Sequence, residues 1–207
     1  MKSPSSALGH AKMDVVRMGE YSILGLEETL TILKTADTKL VGKVEQLEEA
    51  INNLDRKSTE YLIELSKQSL SNQDSQLHHA LFDNIRDIER IGDHVENIIE
   101  LLQYKDSNRV RLSDQALKEL EDMFIFTLET VKMAIESLDK QDRSLAQQVV
   151  EKENEIDNME RRLRKLHIKR LNEGVCSGSA GIVFADIVSN LERIGDHASN
   201  IAETVIS

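Results

Sequence analysis

The sequence holds few of the residues that interrupt helices. Its one proline, Pro4, stands at the head of the chain, so everything after it is free of the ring that removes a helical hydrogen bond. Tryptophan is absent and aromatics make up 3% of the residues, which argues against a fold built on β surfaces. The single cysteine, Cys176, excludes an intrachain disulfide framework and a cysteine zinc ribbon, and it suits a reducing compartment. No run approaches the ~18 apolar residues of a membrane span. The longest uncharged candidate, Val175 to Ala185, is broken by glycines and serines and stops at Asp186. Met1-Lys2-Ser3-Pro4 is not followed by the apolar run of a signal peptide. Basic residues are outnumbered, 26 against 37 acids, for a formal net charge of −11. That balance excludes a general nucleic-acid binder, which needs a basic surface to displace counterions, and it fits cation binding or solubility.

What is present is helical. Hydrophobic residues are 40% of 207, enough for a sizeable core and too many for a disordered chain. Leu, Ile, Glu, Lys and Gln recur with amphipathic spacing in six segments, expected at about 7–36, 38–70, 75–104, 114–138, 143–173 and 180–206. Ser71 to Asp74 reads as a turn with cap candidates, Ser113 as the N-cap of the fourth helix, and Gly174 as the residue just past the end of the fifth. Ile187, Leu191, Ile194, Ala198, Ile201 and Val205 step alternately by four and three, a seam for helix packing. Short connections make neighbouring helices antiparallel.

The chain also repeats itself. Glu89-Arg90-Ile91-Gly92-Asp93-His94 returns as Glu192-Arg193-Ile194-Gly195-Asp196-His197, and Asn97-Ile98 as Asn200-Ile201. Upstream the match is weaker: Glu48, Ile51 and Asn52 align with Glu153, Ile156 and Asp157. This is a duplicated domain: an all-α fold of two three-helix halves, residues 1–104 and 113–207, joined by a polar link at 105–112.

The repeat carries acids in a helical pattern. Residues four apart share a helix face. At ~100° per residue, Glu89 and Asp93 lie roughly 100–140° from Ile88, in a stripe beside the apolar one. Glu192 and Asp196 repeat that geometry, and the preceding helix of each half offers a second arm, Glu153 with Asp157 and Glu48 with Asn52. Adjacent carboxylates repel unless a cation lies between them, and hard cations or ferric iron take such oxygens readily. Side by side, the two helices of a half would bring these stripes together. A glycine kept mid-helix in both halves, at a cost of ~1 kcal/mol relative to alanine, points to tight helix packing or to room for something bound.

Other groups read as supporting features. His94 and His197 point away from the acid stripe, towards the surface or an outer ring around the ligands. Arg90 and Arg193 balance the acids or form surface ion pairs. Arg161, Arg162, Arg164, Lys165, His167, Lys169 and Arg170 make a basic run, expected as a solvated surface, with anionic headgroups or phosphate as the functional option. His78-His79 reads as a surface pair and Cys176 as a small loop residue. No phosphate loop, nucleophile elbow or His-Glu-x-x-His is present.

The doubled motif resembles the PhoU proteins, regulators of phosphate transport whose fold is a tandem pair of three-helix bundles. Their Glu/Asp-x-x-x-Asp motifs hold multinuclear iron or zinc clusters. By that resemblance the metal ligands here are Glu48, Glu89, Asp93, Glu153, Asp157, Glu192 and Asp196, while Asn52 departs from the acid pattern. Manganese and magnesium are further metals that such oxygens accept. Ser3-Pro4-Ser5-Ser6-Ala7-Leu8 and His167 to Gly174 are similar to the C-terminal domain of bacterial sodium/phosphate cotransporters.

That resemblance implies a regulatory domain, not an enzyme, on the cytoplasmic side of the membrane. Its partner is the transmembrane domain of a phosphate transporter, and Met1 then need not be a native start. The runner-up is a stand-alone PhoU-type negative regulator of an ABC phosphate importer and its histidine kinase. A signalling protein and a second copy of the chain are open as further partners. A di-iron carboxylate enzyme would need Glu-x-x-His motifs, and no glutamate stands three residues before any of the six histidines. A purely structural adaptor would leave the acids dispensable.

Overall fold

Hydroxyl and carboxylate caps set where the helices begin. In the computed structural model, which describes residues 3–207, Ser3 caps α1 (Pro4–Thr35), whose first residue is the proline. Asp37 caps a short 3₁₀ turn, Thr38–Leu40, that leads into α2 (Val41–Ser66). Ser71 caps α3 (Asn72–Ser107), Ser113 caps α4 (Asp114–Lys140), Asp142 caps α5 (Arg143–Asn172) and Ser177 caps α6 (Gly178–Ile206). Each of these side chains accepts a backbone N–H of the first turn, which that turn cannot otherwise satisfy. No strand occurs among the described residues. The expectation about Met1 falls outside them.

Several boundaries differ from the sequence reading, α1 and α3 each beginning three residues early, at Pro4 and Asn72. α3 runs three residues into the expected 105–112 link, because Lys105, Asp106 and Ser107 contain no breaker. It ends where Asn108 donates to the Tyr104 carbonyl (3.0 Å) and Arg109 turns to φ 51°. α2 stops at Ser66, short of Leu70. There His78 of α3 donates its Nε2–H to the Leu62 carbonyl (2.7 Å). His78 is therefore buried and ties α3 to the C-terminal part of α2, whereas only His79 is exposed as expected.

Burial divides the helices into two kinds. α1, α3, α4 and α6 bury eleven to fourteen residues each, whereas α2 buries six and α5 five. The four richly buried helices close a ring in the order α1, α3, α6, α4. α2 lies outside it against α1 and α3, and α5 outside it against α4 and α6. The arrangement is not symmetric in detail: α2 leans mainly on α1, while α5 leans mainly on α6. Between the halves, α3 packs antiparallel to α6. Thr204 donates to Asn84 (3.0 Å) at one end of that seam, and the doubled motif meets itself further along.

Antiparallel order sends the connections 36–40, 108–113 and 173–177 to one end of the bundle. The connections 67–71 and 141–142 lie at the other, where Ser5 donates to Asp74 (3.0 Å) and Lys12 to the Asp139 carbonyl (3.0 Å). Among the described residues, no helix is long and apolar enough to cross a membrane.

Candidate metal centres

In the second half the stripes converge. α5 presents Glu153 and Asp157, α6 presents Glu192 and Asp196, and one oxygen of each lies within 4.8 Å of one from every other. All four are half-buried. Burial, then hydrogen bonding to Asp196 and Asp157 and their repulsion, pushes Glu153 up to about 8. Burial and then Asp196 push Glu192 up to about 8 as well, with Glu160 adding to the repulsion. Four acids crowded so closely that two of them are driven to keep their protons make an environment that a multivalent cation relieves.

In the first half the set is differently composed. Glu48 of α2 meets Asp93 and Glu96 of α3 within the same 4.8 Å. Glu89 stands outside that group, beside Asp93 and Asp55. Burial, then repulsion from Glu96, Asp93 and Glu89, pushes Glu48 up to about 7. Glu96 is raised in the same sense by burial, then Asp93 and Glu100. Asn52 is exposed.

So the two clefts exchange one acid. The second half carries Asp157 on its outer helix where the first has Asn52. The first carries Glu96 on its ring helix where the second has Ser199. Sequence reasoning missed Glu96 because it followed the repeated positions. The signal available was the loss of an acid at Asn52 together with a gain one turn along the partner stripe.

The repeated glycines separate two roles. A Cβ on Gly92 would stand 2.6 Å from Glu48 Oε2, so this glycine gives the carboxylate its place against the backbone of α3. A Cβ on Gly195 would stand 2.9 Å from Ile156 Cδ1, so that glycine admits core packing between α5 and α6. The register of outer helix on ring helix thus differs between halves, as the unequal leaning of α2 and α5 requires.

The histidines and arginines belong elsewhere. His94 and His197 are neither at the surface nor around the acids. They stack across the α3–α6 seam with ring centroids 5.5 Å apart. His197 donates through Nδ1 to Asp87 (2.9 Å), and Asn200 donates to the same oxygen (3.1 Å). His94 and Asn97 make the equivalent bonds to Asn190 (3.0 and 3.2 Å). Burial lowers the pKa of His94. Arg90 lines an open groove of about 620 Å³ beside this seam, with Arg86, Asp83, Asp87 and Glu203.

The basic run is also not wholly solvated. Arg170 donates twice to Glu119 of α4 (3.0 and 2.8 Å) and lies over the Phe184 ring, and His167 is buried beside that ring. Cys176 is half-buried in the same corner.

The donor set of both clefts is all oxygen, which suits hard cations and ferric iron better than zinc, whose sites usually include nitrogen or sulfur. These residues fit a bound metal. They are candidates to hold it together with Glu89, whose carboxyl already meets that of Asp93.

Comparison with known proteins bears on the same residues. The family model described as the PhoU domain matches twice, over residues 15–102 and 120–205. A phosphate-specific transport system accessory protein, PhoU homolog 1 of Thermotoga maritima, is 33% identical over 198 residues, covering 94% of this chain and 84% of the relative. A PhoU homolog of Xylella fastidiosa is 26% identical over 206 residues, covering 100% of this chain and 86% of its own length. Among solved structures, PhoU from Pseudomonas aeruginosa superposes with a TM-score of 0.92 at 22% identity, over 99% of this chain and 97% of that one.

Proposed function

The chain belongs to the PhoU family, and on that premise we propose that it is a regulatory accessory protein of phosphate transport whose acidic clefts hold metal ions. The relatives named above are accessory proteins of a phosphate-specific transport system, and this chain spans most of their length. That supports the stand-alone regulator over the cotransporter domain. In this reading the protein acts on the cytoplasmic side, and its partners are a phosphate importer and the sensor kinase coupled to it. The two halves, divided at the 108–113 connection, each supply one cleft.

The observation that carries the metal reading is the meeting of Glu153, Asp157, Glu192 and Asp196. Iron is the metal the resemblance and the donor set both favour, with manganese and magnesium as alternatives and zinc the poorest match. A bound cation would supply positive charge that fixes an outer helix against the ring. The acids would orient it and, on binding, release the protons that Glu153 and Glu192 hold at neutral pH. The relatives' description as accessory proteins supports a regulatory role.

Elemental analysis of protein purified without chelator tests this. Stoichiometric metal is expected in the parent. In Glu153→Gln/Asp157→Asn/Glu192→Gln/Asp196→Asn it should fall to the share held by the first cleft. In cells lacking the native gene, the parent should restore repression of a phosphate-starvation reporter and the variant should restore less. A folded parent without metal after anaerobic reconstitution would overturn the metal reading. Equal repression by parent and variant would detach the acids from regulation.

A further inference from the structure

The charge of this molecule is strongly polarised along its length. Residues 31–45, 101–118 and 161–182 flank the three connections at one end. They contain thirteen of the 26 basic residues and only five of the 37 acidic ones. The remainder of the chain is therefore even more acidic than the net charge of −11 suggests. Cations concentrated on one face of an acidic protein make a local field that attracts anionic surfaces while the rest is repelled.

The same end exposes apolar side chains that nothing covers. Ile168 is 55% exposed on the last turns of α5, Val175 60% in the connection and Ile182 62% on the first turns of α6. Leu166 and Leu171 are exposed between them, and Tyr104 is exposed at the end of α3. Lys165 and Lys169 stand beside this group on α5, Lys169 within 4.0 Å of Glu173 and Arg164 paired with Glu160, and Arg161 and Arg162 lie about 10 Å down the helix from Ile168 at ~1.5 Å per residue. Among the described residues, Arg161, Arg162 and Lys165 have no carboxylate within 4 Å. None of the three is held in a direct ion pair, and their charges act over a Debye length of ~8 Å.

From these we infer that the end formed by the 36–40, 108–113 and 173–177 connections docks on an anionic lipid surface. Ile168, Val175 and Ile182 enter the interfacial layer, and the basic collar pairs with headgroup phosphates. An apolar tip ringed by Lys and Arg is the composition that binds at the plane of a bilayer without crossing it. The long stems of Lys165 and Lys169 let their ammonium groups reach phosphates while the stems lie along the apolar tip. A folded protein partner would instead need a groove to receive its side chains. The cavity at this end, between Leu112, Cys176 and Phe184, measures about 10 Å³. This inference does not depend on metal in the clefts, because none of its residues belongs to them.

Co-flotation of the full chain with vesicles tests it. Phosphatidylglycerol-containing vesicles at low ionic strength should bind the protein about tenfold or more better than phosphatidylcholine vesicles, and added salt should weaken that binding. Arg161→Glu/Lys165→Glu/Lys169→Glu should abolish the preference. Ile168→Ser/Val175→Ser/Ile182→Ser should lower binding about tenfold while leaving the salt dependence in place. All six side chains are exposed, so both variants should fold, as circular dichroism checks. Lys67→Glu/Lys140→Glu, at the opposite end, should bind as the parent does. No preference for anionic vesicles, or equal loss in the opposite-end variant, would overturn the inference. So would binding to soluble polyglutamate that matches vesicle binding and ignores the apolar substitutions, which would assign the surface to an acidic protein.

Discussion

Glu153 and Glu192 show how burial among other acids makes an ionised side chain unfavourable for the fold. Both hold their protons up to about pH 8, against about 4.5 for an ordinary glutamate. Between those values the folded chain binds protons that the unfolded chain has released. Their contribution to stability is therefore fullest below about pH 4.5 and declines as pH rises towards 8. Melting of metal-free protein should show Tm falling from pH 5.5 to 8, with a flatter profile in Glu153→Gln/Glu192→Gln and in the metal-loaded parent. A Tm that rises over that interval in the metal-free parent would contradict the assignment. At this scale the sequence was most legible where it repeated. Seven acids were named from the motif, and six of them lie within the two converging sets. Glu89 stands just outside, and Glu96 was not foreseen, because an exchange of acids between helices is visible only once their register is known. The seam histidines were misplaced for a related reason. An angle measured from Ile88 says which way a ring points, not that a second copy of the motif meets it there.

Between single residues and the whole molecule stand the helices, and here the two glycines make opposite predictions. Alanine at Gly92 meets only the flexible end of Glu48, and helix propensity favours it by up to ~1 kcal/mol. Gly92→Ala should therefore melt within a few degrees of the parent while losing metal from the first cleft. Alanine at Gly195 meets Ile156 in the core, so Gly195→Ala should lose roughly 1–3 kcal/mol in denaturant unfolding. Equal effects of the two would mean that the halves pack alike. The helices themselves were legible because their punctuation is local: Ser71, Ser113 and Gly174 stand where the pattern placed them. The early end of α2 was not, and His78, whose bond to Leu62 lies near that end, comes from the next helix.

At the scale of the whole molecule, the two halves were readable as halves but not as one ring. The stripes of Ile88, Ile91, Ile187 and Leu191 announce packing without naming the partner, and the buried bond of His197 to Asp87 joins residues 110 apart in sequence. Because α1, α3, α6 and α4 share one core, the chain should unfold in a single transition, with helical signal and near-ultraviolet signal coincident. Asp87→Ala should lower that transition by about 1–2 kcal/mol, through the donors it leaves unpaired at the seam. Two separated transitions would show that each half stands alone.

The shallow burial of α2 and α5 has a mechanical consequence. The ring is a frame, and these two helices are arms laid along it, each with little apolar grip. The acids lie in the joint between arm and frame. A cation there would work as a rivet, and its departure would loosen an arm without opening the frame. Ion occupancy would then be expressed as stiffness, and a partner resting on α2 or α5 would feel whether the arm gives way or resists.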